Sequence, residues 1–180
     1  MSDIRKLTEE DVDLVSIMVN AYPAFRPENI AKHRENFLRA MAEDSTIEFY
    51  GLFRDGKMLG SIRLHDFRMQ LHSVRIAAGG VEMVAVDLLH KKEKVCKELI
   101  QFFLDRLRDQ GVSMALLYPF RPDFYKQMGF GFGSKMHRYS TPPAQIPRRG
   151  DKNNVRFLTV ADREELRAFY NRKMEQTNGC

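Results

Sequence analysis

The chain has no tryptophan and only two cysteines, Cys96 and Cys180, among 180 residues. Two cysteines, one of them inside a helical pattern, cannot build a disulfide framework or a cysteine zinc site, so both thiols are expected to be free. The five histidines, His33, His65, His72, His90 and His137, show no His-x-x-x-His or similar ligand spacing, and no metal site is expected. Neither a phosphate-binding Walker loop nor a serine nucleophile elbow occurs. No apolar run approaches the length of a membrane span, and the opening Met1-Ser2-Asp3-Ile4-Arg5-Lys6 has no apolar signal-peptide core. The reading is a cytoplasmic chain with no membrane partner. Charge of one sign is scarce too: 29 basic against 24 acidic residues leave a net charge of +5, and the basic residues are interleaved with acidic ones. That distribution argues against nucleic acid as a partner. Two local concentrations stand out, residues 90–94 and 148–152.

What is present is enough for a packed core, with 43% hydrophobic and 29% charged residues. Ile4 to Leu7 reads as a strand, and Thr8 with Asp11 as a helix cap before Val12, Val15, Val19 and Tyr22 at helical spacing. Pro27 opens a second helix with Ile30, Phe37, Leu38 and Met41 on its apolar side. Two strand-like runs, Ile47 to Phe53 and Met58 to Leu64, flank the hairpin pair Asp55-Gly56. Ser73 to Ala78 and Gly79-Gly80 lead into Val81 to Val86, an apolar run with β-branched residues that fits a buried strand. Val95, Leu99, Ile100, Phe103 and Leu107 then form the stripe of an amphipathic helix that Gly111 ends. Val112 to Tyr118 reads as another buried strand and Pro122 to Met128 as a short helix. Gly129-Phe130-Gly131-Phe132-Gly133 is expected to open a last strand running to about Tyr139. Residues 1–141 thus form one α/β domain, a mixed, mainly antiparallel sheet flanked by helices. Residues 142–154, rich in proline and charge, read as a linker. Val155 to Leu166 repeats the strand-cap-helix opening of the chain, so residues 155–180 are read as the start of an incomplete second unit. A strand and one helix bury too little alone, which implies self-association.

The stretch from Val81 to Leu107 carries the chemistry. A helix that begins straight after a buried strand aims its unpaired N–H groups at the intervening loop, and that loop holds Lys91, Lys92, Lys94 and Lys97 against Glu93. The lysines are either a diphosphate seat or the solvated face of a helix end. Tyr125 is likewise either core filling or a neutral phenol able to donate a proton.

Val84-Ala85-Val86-Asp87-Leu88-Leu89-His90-Lys91-Lys92-Glu93-Lys94-Val95 resembles the acetyl-CoA-binding segment of GNAT N-acetyltransferases. Phe120-Arg121-Pro122-Asp123-Phe124-Tyr125-Lys126-Gln127-Met128-Gly129-Phe130-Gly131 looks like the ending of that fold in the enhanced-intracellular-survival family. With the order of elements, the resemblance covers roughly residues 3–140, and relatives of that family continue into a second GNAT-like domain. It implies that Val84, Ala85 and Val86 offer backbone groups to the pantetheine arm of acetyl-CoA. It implies further that Lys92, Glu93, Lys94, Val95, Cys96 and Lys97 surround the diphosphate, that Phe120 and Arg121 sit beside the cosubstrate, and that Tyr125 is the general acid toward the departing thiolate. The family loop carries glycine where this chain has Lys94. The implied reaction transfers acetyl, without a metal, to a small-molecule amine or a protein lysine. The alternative is a fragment that binds CoA without turnover and works through oligomer contacts. The acceptor pocket is expected around Tyr22 to Arg26 and His65 to Leu71.

Overall fold

A computed structural model describes residues 2–11, 13–133, 137–146, 153 and 155–177. Val12, the stretch 134–136, most of the linker and Cys180 lie outside the described residues.

The sheet is built from the chain's hairpins outward. Strand β1 (Asp3–Lys6) lies antiparallel to β2 (Ile47–Arg54), which turns through Asp55 (φ 50) and Gly56 (φ 77) into β3 (Lys57–Leu71). Left-handed backbone at both turn positions suits the Asp-Gly pair. A second turn at His72 (φ 53) returns the chain as β4 (Val74–Val86), antiparallel to β3 over nearly its whole length. The two runs read separately as Ser73 to Ala78 and Val81 to Val86 are therefore one strand. Strand β5 (Met114–Leu116) closes the order β1-β2-β3-β4-β5 and is parallel to β4, so the sheet is mixed and mainly antiparallel.

Helices cover both faces. On one side α3 (Val95–Asp109) buries Val95, Leu99, Ile100, Phe103 and Leu107 against Leu52, Leu59, Ile62, Leu64 and Val81. Gly79 makes that approach possible, because a Cβ there would lie 2.3 Å from Leu107 Cδ2. On the other side α1 (Asp13–Ala21) and α2 (Ile30–Glu43) bury Leu14, Val15, Ile17, Met18 and Phe37 against Leu7, Phe49 and Ala85. The β4–β5 pairing spans only Ala78 to Gly80 with Met114 to Leu116. Past Gly80 the two strands are unpaired.

Two expected strands are not formed. Among the described residues of the run to Tyr139 there is no strand; Gly129 stands at φ +95, and Phe132 and Tyr139 are exposed. Three glycines in five residues offer little for a neighbouring strand to pack on. Val155 to Thr159 also lacks a strand partner, although its cap is the one anticipated. Arg156, Thr159 and Asp162 repeat the spacing of Arg5, Thr8 and Asp11. Arg156 reaches Asp162 at 2.7 Å as Arg5 reaches Asp11 at 2.7 Å, and the Thr159 N–H donates to Asp162 at 2.7 Å as the Thr8 N–H does to Asp11 at 2.8 Å. Asp11 is held below the usual carboxylate range chiefly by its hydrogen bond from Arg5 and also by the Thr8 N–H, and Asp162 chiefly by the Thr159 N–H and then by Arg156. The environments differ: Leu7, Val15 and Met18 are buried, whereas Leu158, Leu166 and Phe169 at the matching positions are exposed. The helix after the second cap, α5 (Arg163–Glu175), meets the end of the β3–β4 hairpin through Glu175 and Arg75, 2.6 Å apart.

Phe103 is 1% exposed and Phe157 is 98% exposed. Phe103→Ala should cost about 3–5 kcal/mol in urea denaturation, and Phe157→Ala should stay within about 0.5 kcal/mol of the parent.

Candidate active site

Past the end of its pairing with β5 at Gly80, β4 is itself deformed. Ser61 faces Ala85 and Arg63 faces Glu82, so Met83 and Val84 together oppose Ile62, and Met83 takes φ 50. This is a β-bulge. The Asp87 N–H donates to the Leu59 carbonyl at 2.8 Å, which sets the ladder alternation: Ala85 turns its peptide groups toward β3, and the Val84 carbonyl and the peptide groups of Val86 face the open side. That side is a cleft of about 770 Å³ between the end of α1, the β4 edge, the start of α3 and α4 (Pro122–Lys126).

The loop from β4 to α3 is held by carboxylates. Asp87 accepts the Leu89 N–H at 2.9 Å and pairs with Lys57 at 3.2 Å; that backbone N–H is the first cause of its lowered pKa. Lys91, Lys92, Lys94 and Lys97 then line the cleft mouth, with Val95, the first residue of α3, between them. Lys92 (φ 71) and Lys94 (φ 64) occupy left-handed backbone. Lys94 is thus the N-cap residue in the conformation a glycine would take, which explains how the loop keeps its path without one.

Val84, Val86, Lys92, Lys94, Val95, Cys96, Lys97, Phe120 and Tyr125 share the cleft lining. Ala85, Glu93 and Arg121 do not. The Ala85 side chain is buried on the α1 face. Glu93 is turned away by Arg54 and His90, each 3.2 Å from its carboxylate, and Arg121 pairs with Asp123 at 2.6 Å. Of the expected acceptor region, Tyr22 and Pro23 line the cleft, whereas His65 to Leu71 belongs to β3 and contributes nothing to it. His65 instead lies 2.7 Å from Glu82. His90 and Phe124 also line the cleft, and Asn20, Ala21, Leu88, Gln127 and Met128 complete the walls with no signature that sequence alone exposes.

At the inner end Tyr125 is 5% exposed, with the rings of Phe120, Phe124 and Phe130 edge-on at 5.9, 5.2 and 6.1 Å. Burial raises its pKa, with smaller contributions from Cys96 and Tyr22, so the phenol keeps its proton at neutral pH. Burial also pushes the Cys96 thiol up to about 11. Tyr22, raised by burial as well, donates its hydroxyl to the Val84 carbonyl at 2.9 Å. The arrangement offers outward backbone groups for an extended amide-bearing arm, cations and helix N–H groups for phosphate, and a protonated phenol between them. Among the described residues no cluster of His, Cys, Asp or Glu is suited to a metal, and no helix is long and apolar enough to cross a membrane.

A family model described as an acetyltransferase (GNAT) domain matches residues 3–133. The chain belongs to the GNAT acetyltransferase family. Solved structures share the fold. A transcriptional regulator from Bacillus halodurans C-125 is 19% identical with a TM-score of 0.63, covering 77% of this chain and 100% of its own. A probable N-acyltransferase from Enterococcus faecalis V583 is 23% identical with a TM-score of 0.61, and the match spans 72% of this chain but 32% of that one. A predicted acetyltransferase from Clostridium acetobutylicum, solved with acetyl-CoA, is 11% identical with a TM-score of 0.60, over 78% of this chain and 96% of its own. None of the curated proteins compared matches the sequence. The five-stranded mixed sheet with flanking helices is the GNAT fold.

Two outcomes follow from the site's electrostatics and backbone. Iodoacetamide at pH 8 should label Cys96 on the order of a hundredfold more slowly than a free cysteine, accelerating as pH rises toward 11; mass spectrometry of the Cys96 peptide reads this directly. Lys94→Gly should raise stability by about 0.5 kcal/mol in urea denaturation. Relief of left-handed strain, about 1–2 kcal/mol, exceeds the added chain entropy of about 0.4–1 kcal/mol.

Proposed function

We propose that the chain binds acetyl-CoA in this cleft and transfers its acetyl group to an amine, a small molecule or a protein lysine. The observation that carries the reading is the convergence in one cleft of the open β4 edge at Val84 and Val86, the lysine-flanked start of α3 and the buried, protonated Tyr125. The pantetheine arm lies along the β4 edge as an added strand would. Lys92, Lys94, Lys97 and the α3 N–H groups near Val95 and Cys96 take the diphosphate, and Phe120 packs beside the arm. The amine attacks the thioester carbon, edge N–H groups polarise the carbonyl oxygen, and the C–S bond breaks. Tyr125 gives its proton to the departing sulfur and is reprotonated from solvent.

The attacking amine must lose a proton, and none of the described residues lining the cleft is a carboxylate. This favours a second reading, in which the chain binds acetyl-CoA but turns over slowly. Membership of the enhanced-intracellular-survival family is part of the proposal, supported by Tyr125 before Gly129-Phe130-Gly131 and by the repeated cap at Thr159 and Asp162, which fits a second GNAT-like unit beginning near Val155. The exposed Leu166 and Phe169 support self-association through that segment.

Calorimetry should show acetyl-CoA binding, and Lys92→Glu with Lys94→Glu should remove most of it along with its salt dependence. Tyr125→Phe should bind acetyl-CoA and lose about 10²–10⁴-fold in transfer rate. No binding at millimolar acetyl-CoA would refute the function, and an unchanged rate in the Phe variant would return Tyr125 to a packing role.

A further inference from the structure

We propose that Tyr22 limits the length of the acyl group the cleft accepts, so that the donor is a short-chain acyl thioester. The inference rests on the acyl-transfer reading above and adds to it a residue that selects the donor.

A peptide group is planar, so the Val84 carbonyl and the Ala85 N–H point in opposite directions. Ala85 faces Ser61 of β3, and the Val84 carbonyl therefore faces the open edge of β4. Tyr22 takes that carbonyl at 2.9 Å, which carries its phenol from the end of α1 across to the cleft floor beside the bulge. The ring is fixed there. Its own N–H donates to the Met18 carbonyl at 3.0 Å, Phe25 meets it edge-on at 6.2 Å, and Phe25 stacks at 5.9 Å on Phe37, which is 5% exposed.

Tyr125 lines the same cleft as Tyr22, and Tyr22 contributes to holding the Tyr125 pKa above its ordinary value. A thioester whose sulfur lies at Tyr125 and whose carbonyl lies at the β4 edge directs its acyl chain toward Tyr22, with Ala21 and Pro23 behind. A short acyl group stops before the ring. A longer chain must displace a phenol anchored by a hydrogen bond and backed by the half-buried Phe25 and the buried Phe37.

The test compares binding of acetyl-, butyryl- and hexanoyl-CoA, each relative to free CoA, by calorimetry on the full chain. The parent should bind hexanoyl-CoA at least about tenfold more weakly than acetyl-CoA, the scale that pocket shape imposes per small change in an apolar group. Tyr22→Ala should bring that ratio to within about threefold, and Tyr22→Phe, which keeps the ring volume, should hold it near the parent's. Should Tyr22→Ala lose its cooperative melting transition, Tyr22→Leu carries the same comparison. Equal binding of hexanoyl- and acetyl-CoA by the parent, or an unchanged ratio in a folded Ala or Leu variant, would overturn the inference while leaving acetyl-CoA binding intact. Failure of every thioester to bind the parent would instead overturn the acyl-transfer reading, and this inference with it.

Discussion

Everything distinctive about this site depends on one insertion in a ladder: Met83 and Val84 stand opposite Ile62 alone. An extra residue on one strand leaves backbone unpaired and bends that strand. Beyond Gly80 there is no β5 partner to restore the pairing. The result is a length of β4 whose outward groups are held in strand geometry and free to bind, with one carbonyl already taken by Tyr22. A regular, fully paired strand would offer no edge for a substrate arm.

The surrounding structure supports that edge. Behind it, α3 packs so tightly that Gly79 and Gly60 have no room for side chains; a Cβ on Gly60 would lie 2.7 Å from Val95 Cγ1. The same packing fixes the first turn of α3, and so the direction of its unpaired N–H groups, relative to β4. Lys57, Asp87, His90, Glu93 and Arg54 form a chain of contacts that orders the intervening loop and turns Glu93 away from the cleft. The positive charge at the cleft mouth is therefore less opposed than the composition of the loop suggests. Burial that packs Tyr125 among phenylalanines also keeps it protonated, so a packed ring and a phenol that retains its proton coexist in one residue.

Much of this was legible before any coordinates. The Asp55-Gly56 hairpin, the α3 stripe from Val95 to Leu107 and the short helix opened by Pro122 follow from local periodicity and turn chemistry, and the structure has each. The lysine cluster and Tyr125 were legible because the residues that carry them are contiguous. The strands expected through Tyr139 and from Val155 were not formed among the described residues, because a strand is completed by its neighbour and neither segment has one. The long reach of β3 past Leu64 was hidden by mixed polarity in residues 65–71, where pairing with β4 outweighs the local pattern.

Composition and motif thus determined the class of the protein: a mixed α/β domain with a basic strand-to-helix loop. They determined these things because each is a property of nearby residues. Which loop residues face the cleft was decided only in three dimensions, since Glu93 is sequestered by Arg54, a residue from another strand. Tyr22 could be read from sequence as a candidate pocket residue, but its hold on Val84 could not. That contact joins the end of a helix to a bulge far along the chain, and the bulge exists only where two strands fall out of step.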